Sequence, residues 1–162
     1  MQSDKIKLNI GSGDCPMQGY INIDLFADAD IRASADNLPF ETGTVDLVES
    51  HHLIEHFWPK DARKALREWY RVLKSGGELV VSCPDMNAIC NMLLTIGHHD
   101  SALWNGILQK IYGNEPAGMA HHSGYCKEYL KNFMQDVGFR HIKVSSTLNL
   151  RPTPTLLAGG VK

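Results

Sequence analysis

The stretch from Val45 to Ser82 constrains the fold more than any other part of the chain. Val45–Ser50 (VDLVES) reads as a strand entered through the Thr42, Gly43, Thr44 turn. Pro59 then opens a helix whose apolar residues Ala62, Leu66, Trp69, Tyr70 and Leu73 recur at three- and four-residue spacings. Asp61 lies in its first turn, and Gly76 and Gly77 follow its end, as helix start and stop chemistry requires. Glu78–Ser82 supplies the next strand, and its continuous apolar centre, Leu79, Val80 and Val81, predicts a strand covered on both faces. Strand, helix and buried strand in succession point to a mainly parallel α/β sheet.

The remaining elements fit that architecture. Lys5–Ile10 alternates polar with apolar residues and runs into Gly11, Ser12 and Gly13, a short strand meeting a tight turn. Tyr20–Leu25 (YINIDL) is a second strand that ends on an acid, and Asp30–Ala33 is a short third one. Only Asp14 to Gly19 separate the glycine turn from Tyr20, and they include Pro16 and Gly19, so a helix between these strands is not expected. Helices are expected near Asn87–Ile96 and Ser101–Tyr112, then a loop through Glu115, Pro116 and Gly118, which together form a helical insertion over about residues 86–125. Lys127–Val137 is helical and stopped by Gly138. Strands at His141–Thr147 and Thr155–Val161 close the chain, separated by Arg151, Pro152, Thr153 and Pro154.

With 162 residues, 43% of them hydrophobic and 21% charged, the chain reads as one globular domain over 1–162 that needs no covalent staple. Cys15, Cys83, Cys90 and Cys126 form no CxxC pair, which argues against a zinc knuckle and a disulfide framework, so they read as buried or incidental thiols. Met1 to Lys7 contains no apolar signal segment and no run approaches a membrane span, making a reducing cytoplasm the expected location. The net charge of -2 and the absence of a basic stripe argue against nucleic acid; Arg63, Lys64, Arg67 and Arg71 read as a solvated helix face. The His51/His52/His56, His98/His99 and His121/His122 groups show no partner at metal-ligand spacing, and no metal is expected.

In an open parallel sheet the ligand crevice lies beyond the carboxyl ends of the strands. The chemistry-bearing residues fall there: Gly11, Ser12 and Gly13 after the first strand, Asp24 ending the second, Asp36 to Leu38 after the third, Ser50 to His52 after the fourth, and Cys83 to Asp85 after the fifth. Glycines let backbone amides approach a ligand closely, and an acid at the second strand's end can accept from both hydroxyls of a ribose.

LNIGSG, INIDL, ADNLPFETGTVDLVESHHLIEH, EWYRVLKSGGELVVSCPD and GYCKEYLKNFMQDVGF resemble, in order, the successive motifs of class I S-adenosylmethionine-dependent methyltransferases, most of all a compact, uncharacterised branch with a very short connection after strand one. The resemblance runs from Lys7 to Val161. It implies a Rossmann-like seven-stranded, mainly parallel sheet with helices on both faces and its last strand antiparallel, with S-adenosylmethionine across the strand ends. Carried over motif by motif, Gly11, Ser12 and Gly13 would face the cofactor's methionine part, and Asp24, followed by Leu25, would hold its ribose. Asp36, with Asn37 and Leu38, would frame the adenine, and Ser50 and His51 would lie beside the sulfonium end. A loop-capping aspartate is the plain structural alternative for Asp36.

Two departures shape the functional expectation. The acid follows Gly13 by eleven residues rather than the roughly twenty of the dinucleotide fingerprint, and no helix N-terminus stands behind the turn to attract a pyrophosphate. This weakens a nicotinamide oxidoreductase reading and leaves a cofactor without phosphates untouched. Helices that cover the acceptor in many relatives do not precede strand one, so the acceptor is expected to be met by the insertion, the strand-four loop or a partner chain, including a second copy. Methyl transfer by in-line displacement to a small-molecule acceptor depends mostly on positioning and water exclusion. Where a base helps, His51, His52 and His121 are the principal candidates, with Glu55, His56, Asp85 and His122 nearby. A cofactor-binding subunit that needs a partner is the alternative. Trp104 and Tyr112, eight apart on one helix, read as core.

Overall fold

The computed structural model describes residues 5–96, 101–114, 119–147 and 153–162. Its strands are β1 (Lys7–Ile10), β2 (Ile21–Asp24), β3 (Ile31–Arg32), β4 (Val45–His51), β5 (Leu73–Pro84), β6 (Arg140–Thr147) and β7 (Thr155–Val161). Its helices are α1 (Pro59–Val72), α2 (Met86–Ile96), α3 (Ser101–Tyr112) and α4 (Lys127–Val137), with a single 3-10 turn at Ile54–His56. The strands form one sheet in the order β3-β2-β1-β4-β5-β7-β6, and β7 runs antiparallel between β5 and β6 while the pairs from β3 to β5 are parallel. Strand order reverses between β1 and β4, which locates the crevice at their carboxyl ends, where Gly11 and His52 emerge.

Strand alternation explains the core. Leu8, Ile10, Ile23, Val45, Val48, Leu79, Val81, Leu156 and Ala158 are all buried and pack with Leu66 and Trp69 of α1 and Leu130, Phe133 and Met134 of α4. Helices were expected on both faces. The helices in closest contact with the sheet, α1 and α4, touch each other and share one face, whereas α2 and α3 pack mainly together. Val80 therefore differs from expectation: it points away from α1 and α4 and is only half-buried, while its neighbours Leu79 and Val81 are fully buried.

Helix α1 is entered through Pro59 and ends where the Leu73 amide bonds the Trp69 carbonyl. β5 begins at Leu73, earlier than the glycines suggested. Leu73 pairs with Val45 before the register shifts and Glu78 pairs with Leu47, so the glycines sit inside the strand's irregular start. A Cβ on Gly77 would lie 2.9 Å from the Lys74 carbonyl oxygen, which is why the irregularity takes glycine. Tyr112 is 67% exposed, correcting the core reading: Ile107 is the one residue of α3 that is buried, and the face eight residues along from Trp104 looks outward. The thiols are as varied as expected, Cys83 buried, Cys126 partly so, and Cys15 and Cys90 exposed. His98, His99, Glu115, Pro116, Gly118, Arg151 and Pro152 lie outside the described residues.

Candidate functional site

The turn after β1 folds back onto β2. Gly11 and Ser12 both donate their amides to the Ile23 carbonyl, at 2.8 and 3.1 Å. Gly11 and Gly13 have φ of +71° and +48°, the left-handed region where a side chain is strained. At Gly11 space is also limiting, since a Cβ would meet Leu53 Cδ2 at 2.7 Å. At Gly13 nothing lies within 4 Å of a Cβ position, so the turn is open on that side.

Asp24 is the hub of this turn. Its Oδ2 accepts from the Gly13 amide at 2.8 Å, and its Oδ1 accepts from the amides of Phe26 and Ala27 at 2.8 and 2.9 Å. Burial alone would raise its pKa, but the backbone amides of Ala27, Phe26, Gly13 and Leu25 together hold it below the ordinary value. A carboxylate has about four lone-pair positions, so an ionised Asp24 can still accept from further donors. Beside it, Leu25 and Phe26 are exposed, an apolar ledge after the acid. Ser12 is 5% exposed and its hydroxyl has no protein partner, an orphaned polar group at the mouth of the glycine turn.

The segment after β3 is a tight turn, with the Asn37 amide on the Ser34 carbonyl at 3.0 Å. Ser34 Oγ donates to Asp36 Oδ1, Asn37 is exposed and Leu38 is buried in the core. Helix α1 holds the turn from below: Trp69 Nε1 donates to the Ala35 carbonyl at 2.9 Å, and Glu68 Oε1 accepts the Leu38 amide at 2.7 Å. The Arg71 guanidinium bonded to Glu68 keeps that carboxyl below its usual range. What the turn offers outward is the Asp36 carboxylate and the Asn37 side chain.

At the end of β4, successive side chains take opposite faces. Ser50 is fully buried and its hydroxyl donates to the Ile10 carbonyl at 3.0 Å, tying β4 to β1. His51 is half-buried, with Nδ1 3.0 Å from Ser82 Oγ and Nε2 2.9 Å from Glu49 Oε2. Tyr20 donates to the other oxygen of Glu49, and burial followed by that carboxylate raises the Tyr20 pKa to about 12. The Glu49–His51 pairing follows from the two-residue period of a strand and could have been read from the sequence.

The next residues turn sharply. His52 has φ +54°, and its Nδ1 lies 3.2 Å from Glu55 Oε1. Glu55 is 1% exposed, and neither its Oε2 nor His52 Nε2 has a protein partner. The segment before α4 comes back over this turn: the amides of His122 and Ser123 donate to the Glu55 carbonyl at 2.8 and 3.1 Å. That brings His121 beside His56, their ring centroids 5.0 Å apart. Burial lowers the His121 pKa, favouring the neutral ring. His122 is exposed and stacks on Trp58 at 4.6 Å. Asp85 serves the framework: its Oδ1 accepts from the Asn87 and Ala88 amides at the start of α2, and its Oδ2 accepts from Ser146 Oγ. The fold thus gathers Gly11, Ser12, Gly13, Asp24 and Leu25 into one region and His52, Glu55, His56 and His121 into another, with Leu53 touching Gly11 between them.

Residues 17–81 match the family described as "Methyltransferase domain". That stretch of the chain resembles the methyltransferases. A curated relative, the mitochondrial 2-methoxy-6-polyprenyl-1,4-benzoquinol methylase of Leishmania donovani, is 40% identical over 74 residues, which are 46% of this chain but only 23% of that protein. Among solved structures, an S-adenosylmethionine-dependent methyltransferase from Thermotoga maritima superposes with a TM-score of 0.67 at 18% identity, covering all of this chain and 84% of the other. Phosphoethanolamine N-methyltransferase 2 of Haemonchus contortus, in complex with phosphomonomethylethanolamine and S-adenosylhomocysteine, gives 0.64 at 15% identity, with this chain spanning 50% of its length. At these identities the structural likeness establishes the fold: the Rossmann-like sheet expected from the sequence is the one found.

Proposed function

We propose that this chain binds S-adenosylmethionine at the glycine turn and transfers its methyl group to a small-molecule acceptor. The observation that carries the reading is Asp24: three amides fix its carboxylate at the mouth of the crevice with lone pairs to spare, opposite an open Gly13. The residues fit the cofactor. The orphaned Ser12 hydroxyl and the Gly11–Gly13 main chain would hold its methionine part, Asp24 its ribose hydroxyls, Leu25 and Phe26 would pack beside the adenine, and Asp36 with Asn37 would take the adenine edge. Leu38 would contribute as the buried floor of that turn, and Ser50 by holding β4 against β1 beside His51. The bound cofactor supplies an activated methyl group on a sulfonium.

The chain's own task is then to hold a nucleophile in line and to keep water away. His51, His52 and His121 stand at the acceptor end. Glu55 orients His52 through Nδ1, while its Nε2 is buried without a protein partner, so His52 would have to be uncovered before it could take a proton from an acceptor. The exposed Tyr112 and Trp58 give the insertion side apolar surface for an acceptor. The benzoquinol methylase and phosphoethanolamine methyltransferase relatives act on chemically different acceptors, so we assign an acceptor class no narrower than a small molecule. A cytoplasmic setting, with no nucleic-acid partner, belongs to the same reading. Among the described residues no helix is long and apolar enough to cross a membrane.

A partner remains a second reading. The sheet face turned away from α1 and α4 leaves Leu47, Val80, Leu157 and Val161 half-exposed, which suits a second copy or another chain. Incubation with S-adenosylmethionine labelled in its methyl group and a fractionated extract tests the main reading. Label entering a small-molecule fraction, and lost with Asp24→Ala, is expected; no label transfer by a protein that binds the cofactor would favour the partner-dependent subunit.

A further inference from the structure

The cluster at the acceptor end has the chemistry of a metal centre. One ligand atom each from Glu55, His56 and His121 lies within 4.8 Å of the others. Zinc holds its nitrogen and oxygen ligands at about 2.0–2.2 Å in tetrahedral geometry, which sets neighbouring donors roughly 3.3 Å apart. The three donors would have to draw closer together to reach that spacing.

Three further observations point the same way. First, each imidazole commits one ring nitrogen to a carbonyl and leaves the other for an ion. His56 Nδ1 lies 3.1 Å from the Ala120 carbonyl and His121 Nδ1 lies 3.1 Å from the Lys110 carbonyl. A carbonyl only accepts, so each Nδ1 carries its proton and each Nε2 keeps a free lone pair, the outer arrangement that orients metal-bound histidines. Second, Glu55 is 1% exposed and spends only Oε1, on His52, leaving Oε2 buried without a partner. A buried carboxylate oxygen is costly until it meets a donor or a cation. Third, the two ligand segments are fastened to each other by main chain, through the His122 and Ser123 amides on the Glu55 carbonyl. The two segments that carry the ligands are therefore joined before any ion arrives.

We propose that Glu55, His56 and His121 form a binding site for one divalent metal ion of the zinc class. Two imidazoles and one carboxylate are a zinc-type donor set, and three protein ligands leave one position open to solvent or to an oxygen of a bound molecule. His52 steadies the carboxylate from behind. The ion would pin the segment before α4 onto the turn after β4, closing the crevice on the side away from Asp24. The site stands on its own geometry: metal titration and cofactor titration are separate measurements, and either can fail without the other.

The test uses the full chain stripped with a chelator. Titration with Co²⁺, followed by its ligand-field absorption, and with Zn²⁺ in competition with a chromophoric chelator is expected to give one equivalent per chain, with Zn²⁺ raising the melting temperature. His56→Gln and His121→Gln are each expected to weaken binding roughly tenfold or more, and the double variant to abolish both the cobalt spectrum and the zinc-induced thermal shift. His141→Gln and a His98→Gln/His99→Gln pair should leave both unchanged. Circular dichroism confirms folding, and should Glu55→Gln fail to fold, the histidine variants carry the test. Wild-type protein that binds no better than the double variant, or binding removed by the His98/His99 substitutions instead, would overturn the proposal.

Discussion

The two ends of the crevice are held together by different parts of the chain. Around Asp24, the contacts run from main-chain amides to one carboxylate and one carbonyl, within residues 11–27. Around Glu55 they join segments more than sixty positions apart, His56 meeting the Ala120 carbonyl across 64 residues. The first end is an outcome of local backbone geometry, and the neighbouring 34–37 turn rests on the core through Trp69. The second is assembled by tertiary packing onto an insertion whose helices bury little. A site of the first kind has its shape before a ligand arrives, and in the proposed function acceptor choice would vary at the second while the cofactor end stays fixed.

The contrast can be broken most forcefully at Trp69. It is fully buried and bonds the Ala35 carbonyl that shapes the 34–37 turn. Trp69→Ala should cost about 3–5 kcal/mol in urea unfolding and weaken cofactor binding with it. If binding survives in the fraction that stays folded, the cofactor end does not depend on the 34–37 turn. Gly11→Ala comes next, at roughly 1–2 kcal/mol from the left-handed backbone alone, with added cost from the Leu53 contact. Gly13→Ala, strained but unobstructed, should cost less in the same unfolding experiment, and an equal loss in both would deny Leu53 its part.

Acid unfolding sharpens the comparison further. The folded pKa of Asp24 lies below its unfolded value, near 3.9, so its contribution is fully present above that value and is lost as pH falls through the folded pKa. Wild-type stability should therefore fall more steeply below about pH 4 than that of Asp24→Asn. Parallel acid limbs would mean that the amides do not favour the charged carboxylate. The smallest effect belongs to the insertion: Tyr112→Ala, at an exposed position, should change stability by no more than about 0.5 kcal/mol.

The same contrast decides what the sequence could tell. β2 ending at Asp24, α4 at Lys127–Val137 and β7 at Thr155–Val161 were legible because periodicity and stop residues agree locally. The glycine turn was legible because Gly11 and Gly13 occupy backbone conformations that few other residues adopt. The start of β5 was not, since Gly76 and Gly77 look like a helix stop while the chain already pairs at Leu73. Tyr112 misled because an eight-residue spacing marks a common helix face without saying which way it looks. The Glu55, His56 and His121 cluster was invisible, for no spacing along the chain announces that residue 121 returns to residue 56. The bonds of Ser50 to β1 and of Asp85 to α2 likewise depend on neighbours that only the fold supplies.

The central claim is that Asp24 and the glycine turn form an S-adenosylmethionine site. Calorimetric titration of the wild-type chain and of folded Asp24→Ala with S-adenosylmethionine tests it most directly. One equivalent should bind to the wild type, and loss of hydrogen bonds to a charged group, about 1.5–3 kcal/mol, should weaken binding roughly 10- to 100-fold in the variant. No heat from the wild type, or equal affinity in the two proteins, would contradict it.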